Sequence, residues 1–197
     1  MWDGTLDPGR TSDPGDHRAE EVLKDFWESA ASETEDNEDE DEDEEDAGET
    51  MAPFAGSWPG LASPGRTAAD PATTAADVAG DLARDLARDL VGGRLKGPRL
   101  ALVPVGRAAD LPAAIGWAGP VNQENDVARL CAVFRSWEDR FGVRVVALSS
   151  ARLDLSVAAP PQTLHEALAV AAEHFAFCPD NIWQGSGTAG SYVHSCE

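Results

Sequence analysis

Positive charge is what this chain has least of: 15 Lys and Arg stand against 36 Asp and Glu, for a net charge of -21. No Lys/Arg cluster exists to neutralise a row of phosphates, so nucleic acid is not expected as a partner. Long apolar runs are missing as well. Nothing approaches the ~18 apolar residues of a membrane-spanning helix, and no charged-then-apolar secretory leader opens the chain, so no membrane partner is expected. Cysteine is scarce and odd in number, at Cys131, Cys178 and Cys196. That count argues against a disulfide framework and for a reduced, cytoplasmic protein.

The acidic excess is local. Between Glu33 and Glu49 there are 13 acidic residues and no basic one, whereas Thr50 to Glu197 holds 15 acidic and 12 basic residues. Four regions follow: an irregular segment with a short amphipathic helix (1–32), an acidic tract (33–49), a strap with a surface helix (50–98) and a domain (99–197). The tract repels itself and cannot bury apolar surface, so it is expected to be disordered. It is either a solvated linker or a docking arm for a basic partner, and strong salt dependence would mark the second.

Upstream of the tract, Val22, Leu23, Phe26, Trp27 and Ala30 recur at helical spacing over Arg18 to Ala30. A helix this short is marginal alone, so its apolar face must dock, in cis or on a partner. Downstream, Trp58 among prolines and glycines predicts a strap that orders by packing on a neighbouring surface. Thr74 with Asp77 is read as the cap of a helix running through Val78, Leu82, Leu86 and Leu90 to Gly92-Gly93. Its DLAR repeat sets opposite charges three apart, as on an exposed helix face.

The last hundred residues read as β, α, α, β, β, α. Arg99 to Val105 is expected to be an apolar strand, with Pro104 near its exit. Asp110 caps a short helix ending at Gly116, and the next begins at Asn122. That helix carries a stripe of Val127, Leu130, Phe134, Trp137 and Phe141, with Cys131 as a core thiol beside it, and stops at Gly142. Val143 to Leu148 and Leu153 to Val157 form a hairpin. Thr163 and Glu166 make a capping box, so a helix starts there, with Leu164, Leu168, Ala171 and Phe175 on one strip and Val170, His174 and Phe177 on another. The expected fold class is α+β: a small, mostly antiparallel sheet covered on one face by helices.

Pro179 ends that last helix and throws Asp180, Asn181, Trp183 and Gln184 onto a loop. Those four are the candidate residues for a ligand or partner. Trp117 or Trp137 could add a ring, and Gly185 and Gly187 would let a backbone approach. The plainer alternative is that Asp180 caps the next turn and Trp183 fills the core. His174 and Cys178 share a helical face and are the thiol or metal candidates, with His194 and Cys196 as further zinc ligands. Catalysis at Cys178 needs a lowered thiol pKa, which the neighbouring Glu173 and Asp180 oppose. No catalytic residue and no cofactor is expected. The function this supports is a non-enzymatic module binding an unknown protein or small ligand, with a small cysteine- or metal-dependent enzyme as the alternative.

In order and spacing, RSWEDRFGVRVV (Arg135 to Val146), LDLSVAAPP (Leu153 to Pro161) and EHFAFCPDNIWQGSGT (Glu173 to Thr188) resemble the family known as domain of unknown function 4253, its actinobacterial members in particular. The resemblance covers Arg99 to Thr188, and WPGL (Trp58 to Leu61) behind an acidic tract is similar to the upstream part of longer relatives. What it implies is a shared fold, since no activity, cofactor or catalytic residue comes with it. It also implies relatives that extend further upstream and that continue past Thr188 into another helix and often an aromatic strand, whereas AGSYVHSCE here is expected to stop short of these.

Overall fold

The computed structural model describes residues 11–37, 52–54, 56–66, 69–91, 99–120, 123–150, 152–183 and 188–195, with only the backbone described at 33–37, 89–91, 183 and 194–195. The architecture is α+β: helices with one small antiparallel sheet. The described residues fall into two compact units, one drawn from Met1–His17 and Gly65–Pro160 and the other from Arg18–Pro64 and Pro161–Glu197.

The first unit joins a short N-terminal turn and a long helix to the helices and hairpin that follow them. Residues 11–17 contain a single 3₁₀ turn, Pro14–Asp16, capped by the Asp13 carboxylate. Helix α2 follows at Pro71–Val91. Its start differs from the expected Thr74 cap: the carboxylate of Asp70 accepts from both the N–H and hydroxyl of Thr73, at 2.8 and 2.9 Å. Proline at the first helical position needs no donor partner and presets φ, which fixes the start one turn earlier.

A 3₁₀ turn at Ala108–Asp110 leads into the short α3, Leu111–Ala114. Asp110 sits at its N-cap without bonding it. The carboxylate instead takes the Arg135 guanidinium in two hydrogen bonds of 2.6 and 3.0 Å. Helix α4, Val127–Phe141, begins five residues after the expected Asn122, which lies outside the described residues. Its cap is Asp126, which accepts from Ala128 N–H at 3.1 Å. The expected stripe is buried, and so are Ala128, Ala132 and Val133, so the helix is enclosed on most of its circumference. Cys131 is fully buried, as a core thiol should be.

The end of α4 is closed by hydrogen bonds that an exposed helix would give to water. Gly142 turns left-handed at φ 63° and donates to the Glu138 carbonyl. The carbonyl of Phe141 accepts from Ala158 and Ala159, and that of Arg140 from Gly65. The last orphan acceptors are thereby satisfied inside the unit. Gly65 is obligatory there, because a Cβ would stand 2.1 Å from the Ala159 carbonyl oxygen.

The sheet is the hairpin of β1, Arg144–Leu148, and β2, Leu153–Ser156, paired antiparallel with Arg144 opposite Ser156 and Leu148 opposite Leu153. The register slips between Val145 and Ala147, an irregularity of the β-bulge kind. Helix α2 packs on both strands. The expected third strand does not form. Residues 99–105 are irregular, with Leu100 and Leu102 93% and 92% exposed. An apolar run becomes a strand only with a ladder to join, and Pro104 withholds one of the donors.

The second unit packs α1, Ala19–Asn37, against α5, Leu164–Phe177. The amphipathic face docks in cis, burying Val22, Leu23, Trp27 and Ala30. The helix runs to Asn37, into the start of the acidic tract, whose remainder lies outside the described residues. The strap packs on the same ring cluster: Trp58 lies 5.7 Å from Trp27 between ring centroids, and Trp27 meets Phe175 edge-on at 5.4 Å. Ala62 then donates its N–H to Glu173 Oε1 at 2.7 Å, and that glutamate is fully buried. A carboxylate on the core face of a helix was not expected, and its hydrogen bonding to the strap is what makes it tolerable there.

Candidate functional site

The expected site gathers at the C-terminal end of α5. The helix begins as its sequence signals, Thr163 Oγ1 accepting from Glu166 N–H at 3.2 Å and Glu166 returning the bond to Thr163 N–H at 3.1 Å. It ends at Cys178, which stands at φ -154° and ψ 82° before Pro179 and whose N–H donates to the His174 carbonyl at 2.8 Å. The chain does not then enter an open loop. Asp180–Trp183 coil into one turn, α6, with Asn181 N–H on the Cys178 carbonyl and Ile182 N–H on that of Pro179.

That turn has one inside and one outside. Ile182 is fully buried, while Asp180 and Asn181 are exposed. Two of the four candidates therefore stand outward on an anchored turn. Trp183 has only its backbone described, and Gln184, Gly185 and Gly187 lie outside the described residues. Trp117 and Trp137 are 8% and 4% exposed, and Trp117 gives its N–H to the Ser149 carbonyl at 2.7 Å. Both rings are committed to packing, which removes them as recognition surfaces.

Helix α7, Ala189–Ser195, completes the corner. Thr188 caps it, accepting the Ser191 N–H at its hydroxyl at 3.1 Å. The cap swings Tyr192 onto α5, where its hydroxyl meets His174 Nδ1 at 3.0 Å with the rings edge-to-face. Tyr192 and Ile182 are the residues that sequence reasoning missed. The Thr188–Ser191 spacing was the available signal for the first, and nothing but the turn itself marks the second.

The electrostatics here are quiet. Burial pushes His174 below the ordinary imidazole value against the opposing pull of Glu173, so the ring is neutral at physiological pH. Burial pushes the Cys178 thiol up, with Asp180 adding to the rise and the Asn181 N–H opposing it. A thiol so placed is a poor nucleophile. His194's side chain and Cys196 lie outside the described residues, among which no group of three or more His, Cys, Asp or Glu side chains is placed to hold a metal. Among the described residues no helix is long and apolar enough to cross a membrane.

No curated protein and no solved structure matches the chain. A family model described as "Domain of unknown function (DUF4253)" matches residues 99–197. The match takes in α3, α4, the hairpin and the whole α5–α7 corner, half of the chain, and this protein belongs to the DUF4253 family.

Proposed function

We propose that the chain is a non-enzymatic binding module with a regulatory or partner-holding role, and that the α6 turn is part of its contact surface. The observation that supports this is the division of that turn, with Ile182 fixing it from inside while Asp180 and Asn181 face outward. Polar groups on a turn anchored by a buried residue are preorganised, which lowers the ordering cost of recognition. The neutral His174 and the protonated Cys178 weigh against the thiol-enzyme alternative. A reduced, cytoplasmic setting fits the cysteine count. The acidic tract is assigned a secondary role, as an electrostatic contact for a basic partner.

The test is affinity capture from host lysate, comparing the full chain with one in which the acidic residues of 38–49 are replaced by Asn and Gln. Truncation after the tract is unsuitable, because it would remove α1 and with it the Trp27–Phe175 contact. Partners kept by the neutralised chain at high salt support the proposal. Loss of every partner on neutralisation, or in salt, transfers the role to the tract.

A further inference from the structure

We infer that residues 99–103 are a dimerisation strand whose partner is the same strand of a second copy of this chain, paired antiparallel about Ala101. The segment is apolar and open. Leu100 and Leu102 are 93% and 92% exposed, and Arg99 and Ala101 are exposed beside them. The backbone groups of Leu100, Ala101 and Leu102 make no hydrogen bond among the described residues. A run of open donors and acceptors carrying leucines two apart is a template for another strand.

The sequence says which strand fits. Read outward from Ala101, the run meets leucine on both sides, at Leu100 and Leu102, and proline three residues away on both sides, at Pro98 and Pro104. A two-fold axis at Ala101 therefore sets each Leu100 opposite Leu102 of the second copy, which is the self-complementarity that an isologous contact requires. Arg99 falls opposite Val103, so no like charges meet across the pair. The chain's own acidic tract, from Glu33 to Glu49, has no large apolar side chain to lay on the leucines.

The register follows from the small residue and the prolines. Ala101 suits the non-hydrogen-bonded position, where Cα atoms approach to ~4.5 Å, and the N–H and C=O of Leu100 then exchange hydrogen bonds with those of Leu102 in the other copy. The next hydrogen-bonding positions on either side are Pro98 and Pro104, which have no N–H, so the ladder ends there. The strand's opposite edge is blunted, because the Val103 carbonyl already takes the Val105 N–H at 3.0 Å. The pair closes as a dimer and does not extend into a stack. It is smaller than the ~1,000 Å² of a stable interface, and two chains of net charge -21 repel, so the association is weak and salt strengthens it.

The experiment is sedimentation equilibrium of the full chain in ~0.15 M salt, at concentrations up to about 1 mM, where a weak association still registers. The parent is run beside Leu100→Lys, Leu102→Asp and a mixture of the two. Both positions are almost fully exposed, so the fold survives either change, which circular dichroism checks. The expected result is a monomer–dimer equilibrium for the parent and one at least ~10-fold weaker for each variant alone. The mixture is expected to associate more tightly than either variant, because the pairing sets the introduced ammonium opposite the introduced carboxylate. The proposal is overturned if the parent stays monomeric throughout, if it assembles beyond a dimer, if both variants associate as the parent does, or if the mixture is no tighter than the variants alone.

Discussion

At the scale of single residues, three buried or capping groups make commitments that can be measured. Glu173 is fully buried and accepts the Ala62 N–H. Glu173→Leu strands that donor and is expected to lower stability by about 1–3 kcal/mol, whereas Glu173→Gln, which keeps an acceptor, costs less. Urea unfolding of the two variants decides it. Asp126 and Asp70 both sit below the ordinary carboxylate range. For Asp126, burial acts upward and is overcome by hydrogen bonds from Ser12 and Ala128; for Asp70, the Thr73 N–H and hydroxyl are the main cause. A depressed carboxyl contributes stability above its unfolded pKa of about 4, and that contribution is lost as pH falls through the lower folded value. Thermal midpoints should therefore drop below about pH 4, and less steeply in an Asp126→Asn, Asp70→Asn double variant. The thiols give a further check. Burial pushes Cys131 up to about 12 and Cys178 in the same direction, so iodoacetamide should label neither faster than a free thiol in the native protein.

At the scale of elements, the signals that survived were those satisfied locally. The Thr163–Glu166 box, the Gly142 stop and the β1–β2 hairpin need only neighbouring residues to form, and each stands where its residues placed it. Those that failed depended on what another segment did. Asp110 reads as a cap but is recruited by Arg135, 25 residues away, leaving α3 without a side-chain cap bond. The apolar run Arg99 to Val105 reads as a strand but has no ladder to join among the described residues. Asp70 outcompetes Thr74 because Pro71 presets the first turn. Tyr192 is invisible as a site residue until α7 brings it to His174. The closure of α4 belongs at this scale as well. Gly65→Ala would drive a Cβ into the Ala159 carbonyl, so it is expected to destabilise by about 1–3 kcal/mol, as overpacked sites do, and to lower the urea midpoint without changing its slope.

At the scale of the whole molecule, the chain does not divide where its composition changes. Composition separates an N-terminal arm from a domain beginning near residue 99, and the family match begins there as well. The compact units instead interleave, each taking a piece from before residue 65 and a piece from after it. The reason is physical: α1 gains its stability by burying an apolar face, and its Trp27 packs on Phe175 and Trp58. Sequence pattern shows that an apolar face must be covered, but not by which distant segment. The acidic tract thus follows a helix that is part of a packed unit, and charge added or removed there acts beside folded structure.

The most direct test of the central claim is capture from host lysate with an Asp180→Ala, Asn181→Ala double variant, at high salt and beside the parent chain. Both side chains are exposed, so the fold should survive, which circular dichroism can confirm. The account predicts that the parent's salt-resistant partner is lost from the variant, with a fall of at least ~10-fold in recovered material, or ~1.4 kcal/mol. Equal recovery by parent and variant would contradict it, and the α6 turn would then be a structural corner and nothing more.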